Sequence, residues 1–399
     1  MPHSTLSFLI RIMFLLLCTG IPRLYAQHAD FRCGNDNAGQ SQVLTMAEQR
    51  ISAYQQLASR PTGLDPVIIP VVIHILFTNE SENIPDEKIL AQLDVLNQAY
   101  NGKPQLAAIP QEFQSFAADM DLKFCLAGTD PQGQPTDGIV RKAFAPSHPG
   151  FDSAIYYTHT GGSDAWDPAR YLNIWVTNLG DQLLGFSSYP WTDNRATDGI
   201  VINTRYFGPN EKSKRYNQGK TLVHETGHYL GLFHLWDNGG CTTDNDQVDD
   251  TPPQANSYMG MPVYPQYSCN TSNMYMNYLD YTDDAGLLFF TRGQQKRVKA
   301  CLSLYRPGLG ADVITCAQRA ATPGLDFTLY PNPASGIVNI AYPYGDYTEL
   351  EIQVYDITGR KLGVTPVRTQ DRHQLDLSGL SSGLYLVRVG GVSRKLIKK

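Results

Sequence analysis

Three histidines and one glycine between residues 224 and 234 form the pattern in this sequence that is best suited to binding a metal ion. His224 and His228 are four residues apart, which places them one turn apart on the same face of an α-helix. His234 cannot reach the same ion from a straight helix, but Gly231 can take the left-handed conformation that ends a helix and redirects the chain. Three imidazole ligands and one open position predict a catalytic zinc site.

Glu225 follows the first histidine, so its carboxylate would lie beside the open position. A carboxylate there can take a proton from a water molecule that zinc has made acidic, and it can later pass that proton to the departing amine. The pattern therefore predicts a zinc endopeptidase that hydrolyses proteins and peptides, with Glu225 as the general base. The alternatives are a structural metal site and an inactive protease-like adhesin or binding protein. An inactive relative would be expected to lack Glu225 or a histidine, and this chain keeps them all.

The elements that must hold this helix precede it along the chain. Runs rich in β-branched residues predict a sheet, and apolar residues at the helical period after Pro85 predict a helix packed on it, as in an α/β sandwich. The predicted strands span 67–77, 122–126, 171–177, 184–190 and 199–202. After Ala320 the pattern changes to short alternating strands separated by turns, which is typical of a small β-sandwich. The predicted fold class is therefore α+β for the catalytic domain, followed by an all-β sandwich.

Composition and the N-terminus restrict the setting in which the protein works. The formal net charge of -6 offers no basic surface for a phosphate backbone, so we expect no nucleic-acid partner. Arg11 precedes a short apolar run that ends near Leu24-Tyr25-Ala26, which predicts a signal peptide over residues 1–26. No run approaches the roughly 20 residues that span a bilayer, so we expect export without a membrane span. Export permits disulfides among the six cysteines that remain.

These features divide the chain into successive parts. After the signal peptide we expect a removable pro-segment over 27–60, a catalytic domain over 61–305, a linker over 306–325 and the β-sandwich domain over 326–399.

The motif HExxHxxGxxH resembles that of the metzincin zinc proteases, and further blocks resemble the pappalysin-type branch. Those blocks are residues 239–241, 246–252, 277–284 and 290–294. The resemblance implies a metzincin fold, with a mixed twisted sheet and an active-site helix. It also implies a turn beneath the zinc at 277–281, where Leu279 replaces the usual methionine, and a hydroxyl of Tyr281 that donates to the oxyanion in the transition state.

The same resemblance implies a calcium site and a disulfide. The acidic run around Asp246 and Thr251 concentrates oxygen ligands that suit Ca²⁺, although a solvated loop would have the same composition. The family's second disulfide has no cysteines here, which leaves Cys241 with Cys269 as the implied bridge. A pairing of Cys301 with Cys316 is a weaker expectation.

Cys33 lies inside the predicted pro-segment, in Phe31-Arg32-Cys33-Gly34. A thiolate there could bind the zinc and hold the zymogen inactive, because zinc accepts sulfur ligands. The alternative is that Cys33 is one half of an ordinary disulfide.

Substrate preference is a further expectation. Some relatives cleave before Arg or Lys through a carboxylate at the pocket floor, where this chain has Ala285; Asp283 and Asp284 are near enough in sequence to replace it. Ser59-Arg60 and Gln318-Arg319, at the two domain junctions, would then be self-cleavage points.

The C-terminal part resembles the sorting domains that the type IX secretion system of certain Gram-negative bacteria recognises. The similar segments are 327–333, 354–360, 380–385 and the ending Lys395-Leu396-Ile397-Lys398-Lys399. This implies that the secretion machinery is a partner and that the protein crosses both bacterial membranes to the surface or the medium. We expect a monomer.

Overall fold

The computed structural model describes most of the chain after residue 32. The described residues are 33–35, 42–57, 66–147, 150–181, 183–210, 213–237, 240–241, 246–310, 316, 327–341, 352–357, 360–368, 373–389 and 392–399. The predicted signal peptide over 1–26 and both predicted self-cleavage points lie outside them. Among the described residues, no helix combines the length and apolar character that crossing a membrane requires.

A mixed sheet and the helices packed against it form the catalytic part of the chain. Its strands are β1 (Val67–Phe77), β2 (Ala117–Ala118), β3 (Leu122–Leu126), β4 (Ile139–Ala143), β5 (Leu172–Thr177), β6 (Gly185–Ser187), β7 (Ile200–Asn203), β8 (Tyr267–Ser268), β9 (Thr271–Ser272) and β10 (Phe290–Thr291). Its α-helices are α2 (Asp86–Asn101), α3 (Gln111–Gln114), α4 (Lys220–Tyr229) and α5 (Arg292–Tyr305), and α1 (Gln42–Leu57) precedes them.

The main sheet has the strand order β3-β1-β5-β7-β6, and β4 pairs with the far end of β1. All of its pairings are parallel except that of β6 with β7, so β6 is an antiparallel edge strand. Its central strands β1 and β5 are almost wholly buried, as their continuous β-branched sequences predict. Two further pairs, β2 with β10 and β8 with β9, lie apart from this sheet. The α+β prediction is confirmed.

Helix α4 carries the histidine motif, and hydrogen bonds from α2 hold its N-terminal half. Its residues from Thr221 to Tyr229 are all buried. The hydroxyl of Tyr100 on α2 donates to the carbonyl oxygen of Val223 at 3.0 Å, and the side-chain amide of Gln92 donates to that of Gly219 at 3.0 Å. Gly231, two residues beyond the helix, has a φ of 95°, which confirms the predicted left-handed turn.

Two disulfides are present in the described part of the chain. Cys241 is bonded to Cys269, as the family resemblance implied. Cys125 in β3 is bonded to Cys316. The expected pairing of Cys301 with Cys316 is therefore wrong: Cys301 is a buried thiol packed against Gly231, where an added Cβ would lie 2.5 Å from its sulfur.

The catalytic part also extends beyond the predicted boundary at residue 305. Arg306 is buried, where its guanidinium group forms an ion pair with Asp198 at 2.7 Å and lies over the ring of Tyr229. Leu309 belongs to the main hydrophobic core. The first residues of the predicted linker are therefore part of the catalytic domain, and Cys316 ties the following segment to β3.

The C-terminal part is the predicted β-sandwich. Its strands are β11 (Thr328–Tyr330), β12 (Ile337–Ala341), β13 (Ile352–Asp356), β14 (Lys361–Leu362), β15 (Pro366–Arg368), β16 (His373–Asp376), β17 (Gly383–Val389) and β18 (Val392–Lys398). They form two antiparallel sheets, β11-β12-β16-β15 and β14-β13-β17-β18. Phe327, Val338, Val354, Val387 and Leu396 lie in the core of this unit, which is separate from the catalytic core.

Candidate active site

The three predicted zinc ligands meet at one point, which we call the histidine centre (His224, His228 and His234). Their Nε2 atoms are separated by 3.1 Å, 3.1 Å and 3.2 Å. A tetrahedral zinc ion at about 2.0 to 2.1 Å from each nitrogen requires separations of about 3.3 to 3.4 Å, so the arrangement fits the metal closely. All three side chains are buried.

The other ring nitrogen of each histidine is held by a hydrogen-bond acceptor. The Nδ1 atoms of His224 and His228 lie 2.8 Å from the carbonyl oxygens of Tyr278 and Leu232. His234 has a charged partner instead, because its Nδ1 lies 3.3 Å from Oδ1 of Asp237. These partners fix the proton on Nδ1 and leave each Nε2 lone pair directed at the common point.

Burial also determines the protonation state of His228 in the histidine centre. Desolvation, reinforced by the neighbouring His234, lowers the pKa of His228 to about 3. A neutral imidazole is the form that binds a metal, so His228 can accept a cation at neutral pH.

Cys33 is the fourth group at this point. Its sulfur and one nitrogen of each histidine all lie within 4.8 Å of one another, and all four residues are buried. The sulfur also lies 3.5 Å from Oε2 of Glu225. Cys33 forms no disulfide within the described residues, so the prediction that it belongs to the metal site is supported by geometry and the disulfide alternative is not.

The chain around Cys33 is fixed to the edge of the sheet. Cys33 pairs in parallel with Gly185 of β6, and the amide of Gly34 donates to the carbonyl oxygen of Gly185 at 3.0 Å. The side chain of Asn35 then forms two hydrogen bonds of 2.9 Å with the backbone of Ser187, donating through Nδ2 and accepting through Oδ1. This segment therefore covers both the histidine centre and the edge strand beside it.

Tyr281 lies where the resemblance places it. Its ring is 5.7 Å from that of His224 and 5.0 Å from that of His234, measured between centroids. The turn that precedes it is intact, because Asn277 accepts from the amide of Leu279 at 3.0 Å. Leu279 is fully buried against Gly227 of α4, so leucine fills the space beneath the histidine centre.

The predicted calcium ligands belong to a second polar site, which we call the acidic loop (residues 246–251). The single hydroxyl proton of Thr251 is shared among three acceptors at 2.7 to 2.8 Å, namely both oxygens of Asp246 and the carbonyl oxygen of Val248. Burial raises the pKa of Asp246 to about 8. Residues 244 and 245, with which the predicted acidic run begins, lie outside the described residues.

Asp283 and Asp284, the predicted pocket carboxylates, both have partners in this chain. Asp283 forms an ion pair with Arg215 at 2.8 Å. Asp284 accepts from the backbone amide of Gln218 at 2.8 Å, and Nζ of Lys220 donates to its carbonyl oxygen at 2.7 Å.

Residues that the sequence analysis missed surround His228 and His234. Trp236 stacks on His234 at 4.6 Å, and Tyr189 lies edge-on to His228 at 5.7 Å. Asp237 also accepts from the backbone amide of His234 at 3.0 Å. Its spacing of three residues from His234 was the available signal, because a carboxylate this close in sequence can reach the ring.

Two family models match this chain. The peptidase family described as "Pregnancy-associated plasma protein-A" matches residues 157–303, which include the histidine centre and Tyr281. The family described as "Secretion system C-terminal sorting domain" matches residues 328–399, which form the β-sandwich.

Curated relatives and solved structures agree with these matches. An extracellular metalloprotease of Arthroderma otae is 30% identical over 61% of this chain and 80% of its own length, and one of Pyricularia oryzae is 29% identical over 74% and 96%. A promirolysin mutant of Tannerella forsythia superposes with a TM-score of 0.62 at 33% identity, covering 70% of this chain and 97% of that one. Mature mirolysin in complex with a cleaved peptide gives a TM-score of 0.56 at 35% identity, covering 62% and 99%.

Proposed function

The chain belongs to the pappalysin-type metzincins, a family of zinc metalloendopeptidases, and from this premise we propose that His224, His228 and His234 hold the catalytic zinc and that Glu225 is the general base. It is a secreted protease with a C-terminal sorting domain. One observation carries the assignment of residues: three imidazole nitrogens converge within 3.2 Å of one another, beside a buried carboxylate.

Glu225 and Tyr281 divide the chemistry of peptide hydrolysis between them. When bound, zinc supplies a Lewis acid that polarises the scissile carbonyl group and makes a nearby water molecule more acidic. Glu225 takes a proton from that water as the oxygen attacks the carbonyl carbon, and then gives the proton to the amine as the C–N bond breaks. Tyr281 donates a hydrogen bond to the oxygen on which negative charge develops. The water is consumed, and Glu225 ends as it began.

Casein hydrolysis by three full-length proteins tests this assignment: the wild type, Glu225→Gln and the wild type treated with a chelator. Glu225→Gln keeps the volume of the side chain and removes the base, so we expect one equivalent of zinc and no proteolysis. The chelated wild type should also be inactive and recover with added zinc. Full proteolysis by Glu225→Gln, or an active protein without a stoichiometric transition metal, would contradict the proposal.

We also propose that residues 27–60 form a pro-segment in which Cys33 keeps the enzyme latent. The position of its sulfur among the histidine nitrogens supports this, as does the cover that Gly34 and Asn35 place over β6. A thiolate at the metal would exclude the water molecule that hydrolysis consumes. Cys33→Ala should therefore shorten the lag before self-activation, with Gln49→Ala, an exposed position of the same segment, as the control. Equal lags in wild type and Cys33→Ala would exclude the switch.

A structural calcium ion in the acidic loop is part of the proposal. The hydroxyl of Thr251 has one proton for three oxygen acceptors, two from Asp246 and one from Val248. A calcium ion could be bound by several of these oxygens at once, which one proton cannot do. Calcium should raise the melting temperature of wild type and leave that of Asp246→Ala unchanged.

A preference for Arg or Lys after the scissile bond stays a prediction that depends on two carboxylates with partners already, that of Asp283 with Arg215 and that of Asp284 with the backbone amide of Gln218. If Asp283 can serve the pocket, Arg215→Gln should increase cleavage before Arg and Lys in a peptide library, because it releases that carboxylate. An unchanged profile would remove Asp283 from the specificity pocket.

The sorting domain leads to a proposal about the export route. A signal peptide over 1–26 would carry the chain across the inner membrane, and recognition of residues 326–399 by a type IX secretion system would carry it across the outer membrane of a Gram-negative bacterium. Mass spectrometry of both termini of the secreted protein tests the signal peptide, the pro-segment and the release of the tail together.

A further inference from the structure

Helix α1 lies on helix α5, away from the histidine centre. Leu44, Ala47 and Ile51 of α1 are buried. They lie beside a surface that we call the α1-binding face, formed by Trp191, Arg297, Ala300, Cys301, Leu304 and Tyr305. The side-chain contacts of α1 with this face include a cluster of Ile51 with Ala300 and Cys301.

A buried ion pair stands at the centre of this contact. Both oxygens of Glu48 accept from the guanidinium group of Arg297, at 2.5 Å and 2.7 Å. The Arg297 side chain is 1% exposed, and that of Glu48 is 20% exposed. A two-bond pairing with a planar guanidinium group is directional, and loss of Glu48 removes the direct partner of the buried charge of Arg297. The face therefore selects a helix that carries a carboxylate within its apolar side.

Arg297 connects this contact to the zinc-binding motif. Its Nε donates to the carbonyl oxygen of Gly231 at 2.7 Å, and its guanidinium carbon lies 4.8 Å from the centroid of the Phe233 ring. Gly231 is the residue whose left-handed conformation turns the chain toward His234. Arg297 of the α1-binding face therefore contacts the same turn that positions His234.

The contacts of α1 are separate from those of Cys33. Cys33 and Asn35 contact β6 and the histidine centre, whereas α1 contacts α5. A helix of 16 residues is marginal in water by itself, so docking must supply most of the stability of α1.

We propose that the α1-binding face is a specific binding site for an amphipathic helix that carries one carboxylate within its apolar side, and that it holds α1 independently of Cys33. The proposal rests on the assignment of residues 27–60 as the pro-segment and adds a second attachment to it. Its occupant is α1, bound through Glu48 to Arg297, and the thiol at the metal is not needed for that binding.

Hydrogen–deuterium exchange of α1 in the full-length chain tests the proposal. All proteins carry Glu225→Ala, which prevents self-cleavage, and the added changes are Cys33→Ala, Glu48→Gln and Gln49→Ala. Gln49 is an exposed neighbour of Glu48 and serves as the matched control. We expect exchange in residues 42–57 to be unchanged by Cys33→Ala and Gln49→Ala. Glu48→Gln should accelerate it about tenfold or more, since it breaks a buried charge pair.

Thiol alkylation, mapped by mass spectrometry, gives the second readout. In Glu48→Gln, Cys33 should stay as slow to react as in its parent, because its own contacts are intact. Two results would overturn the proposal: α1 exchange that accelerates in Cys33→Ala, and α1 exchange that is unaffected by Glu48→Gln. Neither measurement requires proteolysis or zinc activity, so a failure of the proposed catalytic mechanism would be seen separately in the casein assay.

Discussion

The histidine centre and the acidic loop are both buried polar sites, yet burial has opposite effects on their readiness for a cation. Burial lowers the pKa of His228 to about 3, so this imidazole is neutral at pH 7 and can accept a metal ion directly. Burial raises the pKa of Asp246 to about 8, so its carboxyl group is protonated at pH 7 unless a cation stabilises the charge. The fold therefore keeps His228 neutral before any ion binds, whereas Asp246 depends on a bound ion to become charged at pH 7.

Removal of one ligand from the histidine centre should give the largest difference in zinc content and activity between variants of the two sites. His234→Ala should lose stoichiometric zinc and reduce casein hydrolysis at least about a thousandfold, because the Lewis acid is no longer held. Asp246→Ala, its counterpart in the acidic loop, should keep one zinc per chain by elemental analysis. Equimolar zinc in purified His234→Ala would contradict the assignment.

The variant Tyr281→Phe tests whether the hydroxyl of Tyr281 stabilises the transition state beside the histidine centre. Removing one hydrogen-bond donor to an oxyanion typically lowers kcat about a hundredfold to a thousandfold. We expect such a loss with zinc content and KM near those of wild type, measured with a fluorogenic peptide. A kcat equal to that of wild type would leave Tyr281 as a packing residue.

Asp237→Asn should weaken zinc binding without destroying the site. Partners of metal-bound histidines typically contribute about 10-fold to 100-fold in affinity, and Asp237 is the charged partner of His234. Competition with a chromophoric chelator measures the change. Asp250→Asn, in the acidic loop, is the matched control and should leave zinc affinity unchanged; equal effects of the two variants would indicate a general loss of stability.

The smallest effect is a pH dependence that belongs to the acidic loop alone. The pKa of Asp246 is raised above its value of 3.8 in a free chain, so its protonated form stabilises the fold at low pH and that stability is lost as pH rises toward about 8. Burial raises the pKa of Asp94 to about 6, which adds a loss of the same sign at lower pH. The loss from Asp246 therefore runs from about pH 4 to 8, that from Asp94 ends near pH 6, and the range from about pH 6 to 8 isolates Asp246 from Asp94.

When the pH is raised from about 6 to 8 in the presence of a calcium-selective chelator, the melting temperature of wild type should fall by a few degrees. The expected scale is about 2 to 4 °C per kcal/mol of stability lost. Added calcium should abolish the fall by stabilising the carboxylate, and Asp246→Asn should show none. Scanning calorimetry measures all three. A fall that persists in Asp246→Asn would assign the effect to other groups.

Local spacing made the histidine centre predictable from the sequence. His224 and His228 share a helical face, and Gly231 is the residue whose φ of 95° completes the site. The central strands β1 and β5 were predictable for a similar reason, because parallel strands buried on both sides have continuous apolar sequences. Strand β4 was missed, because its sequence includes Arg141 and Lys142 and it is only partly buried.

Contacts between distant parts of the chain could not be predicted in this way. Glu48 and Arg297 are 249 residues apart, and no local pattern indicates that they pair. The pairing expected for Cys301 failed because the fold packs that thiol against Gly231 and brings Cys316 to β3 instead. The ion pair of Arg306 with Asp198, which lies just beyond the predicted boundary at residue 305, is likewise tertiary.

The bond between Cys125 and Cys316 also has a mechanical consequence. It closes a covalent loop that contains α4, all three histidines and α5. A pulling force applied between the C-terminal domain and the start of β1 passes from Cys316 directly to Cys125 and so bypasses everything within the loop. An enzyme stretched by its tail, whether during transport or by shear at a surface, would therefore keep its catalytic groups under no tension.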